Sequence, residues 1–564
     1  MKKIFRWPAI IGAAALLVLL IYRTQPKTTR IADRGDEIAF RVDFRNGQTS
    51  LFYLETVGLD VRTLLVNGEP MDLGATLQYR GLYLELAGKL RPGPNDIRVP
   101  YGVNRTKGPQ PCLFFTPSLI GNGTMILAWI GLFALGAAAI LQWAHRVGFG
   151  VTIAGTLIAG IAWCSTWLLL RQNTAYTNDV FGHIGYIQYM ARDFQRPLSY
   201  FGDEYFHPPT YYGLAALFYA AADAFQTINP LSAVRGLSLL FYFVFLIYGL
   251  RTLRENETED AFSLLPAAVL FIFWPLAINM ATRINNDVML YPLWAFSYFH
   301  LVRWRRTLSE RDLAKTVAAA GLSLGIKSNA FTVWGIIAAV AVVTWLEKRF
   351  SLRSLVRAPM LAAYLALVAG VLVNVAKPLE LATHGVDPSP SYFGNKRAQH
   401  TDAAHFLKVN VSDLWRDPYV NFKQRLEENP FSSYVLRSAI FGEFRLPSLK
   451  AAQWTVRLAM IGALFWILGV AVFFRRRRRE WTPHLIAVIV GLSSLAALMA
   501  MKNWIVCQDF RFIYPVIIPI AAVYCGLLAE LHARKWRPLY WAGVALGVGF
   551  SVAGVCAYAS VLRL

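Results

Sequence analysis

From Ile120 to the carboxyl end, apolar runs alternate with short basic or polar punctuation, and many approach the roughly 20 residues a helix needs to cross a bilayer. A segment in lipid must satisfy its own backbone N–H and C=O groups, which leaves helices or closed barrels. Runs of this length, in a chain that is 56% hydrophobic and only 16% charged, select helices. The spans read from the sequence are Trp7 to Tyr22, Met125 to Ala144, Val147 to Leu170, Leu237 to Leu250, Phe262 to Ile278 and Val288 to Val302. They continue with Thr316 to Ile326, Ala330 to Trp345, Leu361 to Val375, Thr455 to Phe474, Leu485 to Met499, Phe512 to Leu531 and Tyr540 to Leu562. The expected fold class is therefore an α-helical polytopic membrane protein with about thirteen transmembrane helices. Pro209 to Phe225 is short and tyrosine-rich, and is placed along the membrane surface.

The net charge of +22 raises the question of nucleic acid, and the position of the charge answers it. The basic residues sit between apolar runs, at Arg251 to Arg254, Arg303 to Arg306, Lys348 to Arg357, Arg475 to Arg479 and Arg534 to Arg537. This is the positive-inside pattern. It makes membrane lipids with anionic headgroups the partners of the charge, with no nucleic acid, and it puts the amino terminus and each basic block in the cytoplasm. The five cysteines have no metal-ligand spacing. Cys164, Cys525 and Cys556 read as small core residues, and pairing of Cys112 with Cys507 stays open.

Between Thr24 and Thr116 the composition is that of a soluble domain. Strand-like runs at Ile38 to Phe44, Leu51 to Leu54, Leu82 to Leu86 and Ile97 to Val99 are separated by the turn signals Asn46-Gly47, Asn67-Gly68 and Arg91-Pro92-Gly93-Pro94-Asn95. These predict a small extracytoplasmic all-β sandwich. Its phrases LLVNGEPMDL and LRPGPNDIRV resemble those of jelly-roll accessory domains beside carbohydrate-active enzymes, with a structural role and glycan binding both open. The organisation expected is a membrane anchor at 1–23, the sandwich at 24–116, a second transmembrane helix at 117–146 and a membrane core at 147–375. An external loop domain at 376–454 and carboxyl-terminal transmembrane helices at 455–564 follow.

The core holds a first external loop at 171–210, far longer than a helix connection needs. It carries Asp179, His183, Asp193, Asp203, Glu204 and His207 and ends in Pro208-Pro209. Ionisable groups beside a membrane point to function. Asp179 can act as a general base on an acceptor hydroxyl or cap the helix that follows. His183, four residues on, can orient Asp179, bind a metal or sit at the interface. Further along come the turn RINND at Arg283 to Asp287, Lys327 in the tip KSN, and Arg511 in CQDFRFIYP. Arg283 and Asp287 read as an i,i+4 pair or as separate site residues. Lys327 has no evident charge partner nearby, and either snorkels or meets a phosphate. Tyr392 to Arg397, His400, Asp402 and His405, with FGEFRLP at Phe441 to Pro447, are a candidate cover for an acceptor.

This order of an early loop acid, a Pro-Pro-x-Tyr-Tyr helix start, an Arg-x-x-x-Asp turn and a lysine between small residues resembles the GT-C membrane glycosyltransferases. The likeness is to the bacterial relatives of protein mannosyltransferases and of the lipid A aminoarabinose transferase. It implies a GT-C fold and transfer, with inversion, of a sugar from a polyprenyl-phosphate-linked donor to an extracytoplasmic glycan, lipid or protein, at the periplasmic face of a bacterial inner membrane. By the same resemblance Asp179 and Asp287 are catalytic, and Arg283, Lys327, Arg511 and His207 bind the carrier phosphate. Glu204 and His183 are candidate ligands for a divalent cation such as magnesium or manganese, a requirement the resemblance leaves open. A transporter or flippase for lipid-linked glycans and a non-catalytic scaffold presenting the sandwich are the other readings. Internal repeats and mid-span charges would mark the former, and indifference to Asp179 the latter.

Overall fold

In a computed structural model of the chain, the described residues are 13–14, 16–17, 26–33, 36–45, 48, 51–57, 59–77, 81–86, 88–103, 112–117, 123–146, 148–171, 179–198, 204–225, 228–256, 261–348, 357–383, 403–420, 429–476, 479–502 and 505–563. They belong to two compact units. The first is Met1–Tyr205, Tyr212–Leu239 and Thr282–Asn285, and the second is Phe206–Tyr211, Leu240–Ala281 and Asn286–Leu564.

The first unit begins with strands β1 (Lys27–Asp33), β2 (Glu37–Phe44), β3 (Leu51–Val57), β4 (Leu59–Val66), β5 (Glu69–Leu77), β6 (Gly81–Glu85), β7 (Gly93–Pro100), β8 (Gly102–Val103) and β9 (Cys112–Pro117). One sheet runs β1-β2-β7-β4-β5, with β8 on β4, and the other runs β6-β3-β9. Alternation along each strand sends every second side chain to one face. Ile38, Phe40 and Val42 of β2, Phe52 and Leu54 of β3, and Ile97 and Val99 of β7 thus share one buried core. Residues of both sheets meet there, as a sandwich requires.

Asn67-Gly68 closes the β4–β5 hairpin with Val66 opposite Glu69. Both turn residues have positive φ, 52° and 88°, which asparagine and glycine tolerate best. The buried Asn95 carboxamide donates to the carbonyls of Arg91 (2.7 Å) and Gly93 (3.0 Å) and accepts from Arg91 N at 2.8 Å. Asn67 Nδ2 donates to Asn95 Oδ1 at 2.9 Å. Two turn signals that are separate in the sequence are therefore one hydrogen-bonded unit.

The rest is mainly helical. Among the described residues seven helices are long and apolar enough to cross a membrane: Val151–Leu170, Pro230–Glu255, Ser328–Lys348, Leu449–Val472, Thr482–Met501, Phe510–Ala533 and Arg537–Leu562. The expected single run Phe262 to Ile278 is instead two helices, Ala261–Ile272 and Ala277–Thr282. Pro275 disfavours helical backbone at Trp274, and Trp274 donates its indole N–H to the Ala439 carbonyl at 2.6 Å. The helix Ala358–Thr383 runs past Val375 into the expected external domain, and Leu449–Arg476 starts before 455. Helices Ala403–Leu407, Val411–Arg416 and Phe431–Phe441 occupy part of that domain. Tyr392 to Arg397, His400 and Asp402 lie outside the described residues, as do Asn178, Asp203 and nearly all of the anchor. Cys507 is buried, and Cys556, expected in the core, is exposed on the protein surface.

In the second unit the helix Glu310–Leu324 approaches Ala358–Thr383 so closely that a Cβ on Gly321 would lie 2.6 Å from Leu367 Cα and N. Only glycine permits this crossing, a device common between helices in lipid. Gly321→Ala should therefore destabilise the protein by about 1–3 kcal/mol, read as a lower unfolding temperature of the purified chain. Gly136, with open space around its Cβ position, is the control and should tolerate alanine. Equal melting of wild type and Gly321→Ala would refute the contact.

Candidate functional site

In the first unit the loop residues fold as the helix Val180–Asp193. Asp179 precedes it with φ 52° and makes no side-chain cap, so the capping alternative is not realised. Its carbonyl accepts from His183 N at 3.2 Å, while the residue itself is exposed. His183 is buried, not interfacial, at 1% exposure. Its Nδ1 lies 2.7 Å from the Tyr212 hydroxyl and its Nε2 lies 4.0 Å from Glu204 Oε2. Tyr212 stacks on Tyr186 with centroids 3.8 Å apart, and Tyr205 packs on Tyr186 at 5.2 Å. Burial, aided by neighbouring Tyr189, holds the Tyr205 phenol above its ordinary pKa. The result is a carboxylate, an imidazole and a phenol in a row against an aromatic wall. His183 and Glu204 are brought near each other, but Nδ1 is engaged with Tyr212. Among the described residues no three His, Cys, Asp or Glu side chains gather to hold a metal, and no step is routed through one.

Arg235 and Ser238, in the first turns of the helix Pro230–Asn256, escaped the sequence reading. Arg235 is 2% exposed. It donates from Nε to the Thr282 carbonyl at 2.9 Å, and from Nη1 to the carbonyls of Arg171 (2.9 Å) and Leu168 (3.3 Å). The last carbonyls of a helix lack intrahelical donors, and a guanidinium with five N–H groups can serve several of them. Ser238 Oγ donates to the Arg283 carbonyl at 2.7 Å. The entry to the first loop and the backbone of the RINND turn are thus fastened to one helix. Arg283 itself is 1% exposed.

The second unit gathers Asp287, Lys327 and Arg511. The helix Ala277–Thr282 ends before Arg283 and the next begins at Asp287, so Arg283 and Asp287 are not an i,i+4 pair on one helix. Asp287 instead meets Lys327, with Oδ1 and Nζ 2.8 Å apart and both side chains buried. Lys327 therefore has a charge partner, 40 positions away in the chain and invisible to local pattern reading. Asn286 Nδ2 donates to the Ile326 carbonyl at 3.3 Å and holds the two segments together. Thr210, three residues after the buried His207, donates to the Gly325 carbonyl at 2.7 Å. The Pro-Pro segment is thereby tied to the Lys327 turn.

Arg511 lies in the 3₁₀ segment Phe510–Val516. Asp509 accepts from Arg511 N at 2.9 Å, and its other oxygen is 3.6 Å from Arg511 Nε. Lys327 Nζ and Arg511 Cζ lie 5.5 and 5.0 Å from the ring centroid of Phe512, within cation–π range. Tyr291 donates to the Arg511 carbonyl at 3.2 Å, and Ser438 Oγ accepts from Phe510 N at 3.0 Å. Tyr434 donates to Glu443 at 3.2 Å. Burial, with the carboxylates of Glu443 and Asp509, pushes its phenol well above the ordinary value while Arg511 opposes them. Two buried cations, each with its own carboxylate, thus share one aromatic ring. Such a pair of cations can receive a phosphate, the lysine as a point charge and the arginine as a planar fork. Asp509 and Phe512 were legible only as the Asp-x-Arg-Phe spacing within CQDFRF.

A buried ion pair is costly to break from one side, because the remaining charge keeps its desolvation penalty. Asp287→Ala should cost about 3–5 kcal/mol, whereas Asp287→Leu combined with Lys327→Met should recover most of that. Unfolding of the single and double variants forms the cycle. Additive losses would show that the two charges are not coupled.

No protein-family model and no curated protein matches the chain. Among solved structures it is similar to the arabinosyltransferase EmbB from Mycobacterium smegmatis at 12% identity and TM-score 0.43, covering 99% of this chain and 64% of that one. It is also similar to ArnT from Cupriavidus metallidurans bound to undecaprenyl phosphate (13%, TM-score 0.35, 72% and 77% covered). A third is the Archaeoglobus fulgidus oligosaccharyltransferase AglB in complex with an inhibitory peptide and a dolichol-phosphate (12%, TM-score 0.37, 72% and 55% covered). The chain thus spans 64% of the length of the arabinosyltransferase. At this level of similarity the functional reading rests on the residue clusters described above.

Proposed function

We propose that this chain is an integral membrane glycosyltransferase of GT-C type, with about thirteen crossings in all by the span-length rule, that moves a sugar from a polyprenyl-phosphate carrier to an extracytoplasmic acceptor. The observation that carries the reading is the pair of buried cations Lys327 and Arg511 at Phe512, each accompanied by a carboxylate. A phosphate-linked sugar is already activated, so the protein has to position it, stabilise the leaving phosphate and accept one proton. Lys327 and Arg511 are assigned to the carrier phosphate, with Arg283 and His207 as further ligands. Asp287 holds Lys327 in place beside the reacting sugar.

Asp179 is assigned as general base because it is an exposed acid at the head of the helix Val180–Asp193, one turn before His183. The acceptor hydroxyl gives its proton to Asp179 as its oxygen bonds to the anomeric carbon. The bond from that carbon to the phosphate oxygen breaks, and the polyprenyl phosphate leaves with the electron pair. Attack opposite the leaving group inverts the anomeric centre. In the proposed setting the enzyme lies in a bacterial inner membrane with its catalytic face periplasmic, and the sandwich positions the acceptor.

The test is mass spectrometry of lipid-linked and envelope glycans in a deletion strain complemented with wild type, Asp179→Asn or Arg511→Gln. With normal protein levels, Asp179→Asn should lower transfer by about 10²–10⁴-fold, and one sugar should vanish from one acceptor. Arg511→Gln should reduce transfer by weakening use of the carrier donor. Full restoration of the glycans by Asp179→Asn would remove it as the base, and full restoration by both variants would reject the transferase reading.

A further inference from the structure

The proposed transfer makes no use of a second pair of cations in the second unit, at the ends of two helices. Arg251 lies near the end of Pro230–Asn256, and Phe299 and Arg303 lie in the last turns of Asp287–Thr307. Arg251 Cζ is 4.4 Å from the Phe299 ring centroid and 5.4 Å from that of Tyr248. Arg303 Cζ is 5.6 Å from the same Phe299 ring.

Both guanidiniums lie over aromatic rings, and neither makes a hydrogen bond among the described residues. The carboxylates nearest Arg303 Nε are those of Asp312 at 3.7 Å and Glu255 at 3.9 Å, beyond hydrogen-bond reach. Their opposite oxygens are engaged, Asp312 Oδ1 with His300 Nδ1 at 2.6 Å and Glu255 Oε2 with Arg306 Nη2 at 3.0 Å, and Arg303 keeps a loose ion pair with each carboxylate. Arg251, half-buried, makes only its ring contacts among the described residues. Aromatic stacking satisfies the face of a guanidinium and leaves its in-plane N–H donors open. The group that matches two such forks is an oxyanion with several acceptor oxygens, above all a phosphate.

The surroundings indicate which phosphate. The apolar span Pro230–Glu255 ends at this point, so Arg251 falls where a bilayer changes from acyl chain to headgroup. The buried Phe299 ring carries both guanidiniums, and the half-buried Tyr248 offers an apolar surface beside Arg251. We propose that Arg251, Phe299 and Arg303 form a binding site for the headgroup phosphate of an anionic phospholipid. This is a particular site with a fixed geometry, distinct from the general attraction of basic loops to the membrane, and it does not depend on the transferase reading.

The experiment uses the full-length protein in nanodiscs of phosphatidylcholine containing phosphatidylglycerol, with native mass spectrometry counting the phosphatidylglycerol retained on gradual delipidation. The variant Arg251→Gln with Arg303→Gln should bind it about tenfold more weakly, the loss expected for charge-assisted hydrogen bonds. Arg254→Gln, in the same basic block but exposed, should retain it. Arg251→Lys with Arg303→Lys keeps the charge and loses the planar forks, so it should fall clearly below wild type. Should the glutamine pair fail to fold, the lysine pair decides. Retention equal to wild type in the folded double variants overturns the site. Displacement of the lipid by inorganic phosphate at equal concentration would assign the site to a soluble anion and overturn the lipid assignment.

Discussion

The contact between Asp287 and Lys327 sets a condition on much of the second unit. Two opposite charges 2.8 Å apart and out of water attract strongly, yet their desolvation cost is comparable, so the pair survives only where the surrounding chain fixes both partners. That fixing is visible in the Asn286 bond to the Ile326 carbonyl and the Thr210 bond to the Gly325 carbonyl. The glycine crossing at Gly321 lies farther out, on the helix that delivers the lysine. Arg511 is held in the same way, through its own carbonyl by Tyr291 and through its neighbour Phe510 by Ser438. The charged groups are placed by backbone contacts, which makes their geometry rigid before anything binds.

The residues easiest to read from sequence were those whose role is local. The strands of the sandwich follow from period-two alternation, and Asn67-Gly68 specifies its own turn. Apolar runs gave the existence of helices better than their limits. Proline at 275 broke one expected run, and the helix ending at Thr383 outlasted its apolar stretch. Lys327, Arg511 and Asp287 were singled out because charge in an apolar chain is conspicuous, but their pairing was not legible. A partner forty positions away leaves no periodic trace, so Lys327 read as solitary. Arg235 went unnoticed for a related reason. Its partners are carbonyls, which every residue has, and no side-chain pattern marks them.

The two groups of site residues differ in character. Asp287, Lys327, Asp509 and Arg511 form a charge-balanced set with little freedom to move. His183 and Tyr212 form a hydrogen-bonded pair, with Glu204 4.0 Å from the other ring nitrogen, in which proton positions are not fixed by geometry alone, since either tautomer of the imidazole can face the phenol. Donors held in place in advance, as Lys327 and Arg511 are, can receive an anion without large rearrangement. An acid–imidazole–phenol row is suited to relaying or orienting a proton. The exposed Asp179 lies one helical turn before that histidine.

The carbonyls that Arg235 joins are 64 positions before it and 47 after it. When Arg235 emerges from the ribosome, the end of the Val151–Leu170 helix has already been made, but the Thr282 carbonyl has not. Until the later turn arrives, a guanidinium destined for burial must satisfy one of its edges with water or a lipid headgroup. The early loop can therefore settle into its final anchorage only after the following helices have been synthesised. A protein truncated before Thr282 would lack one of the carbonyls that Arg235 joins.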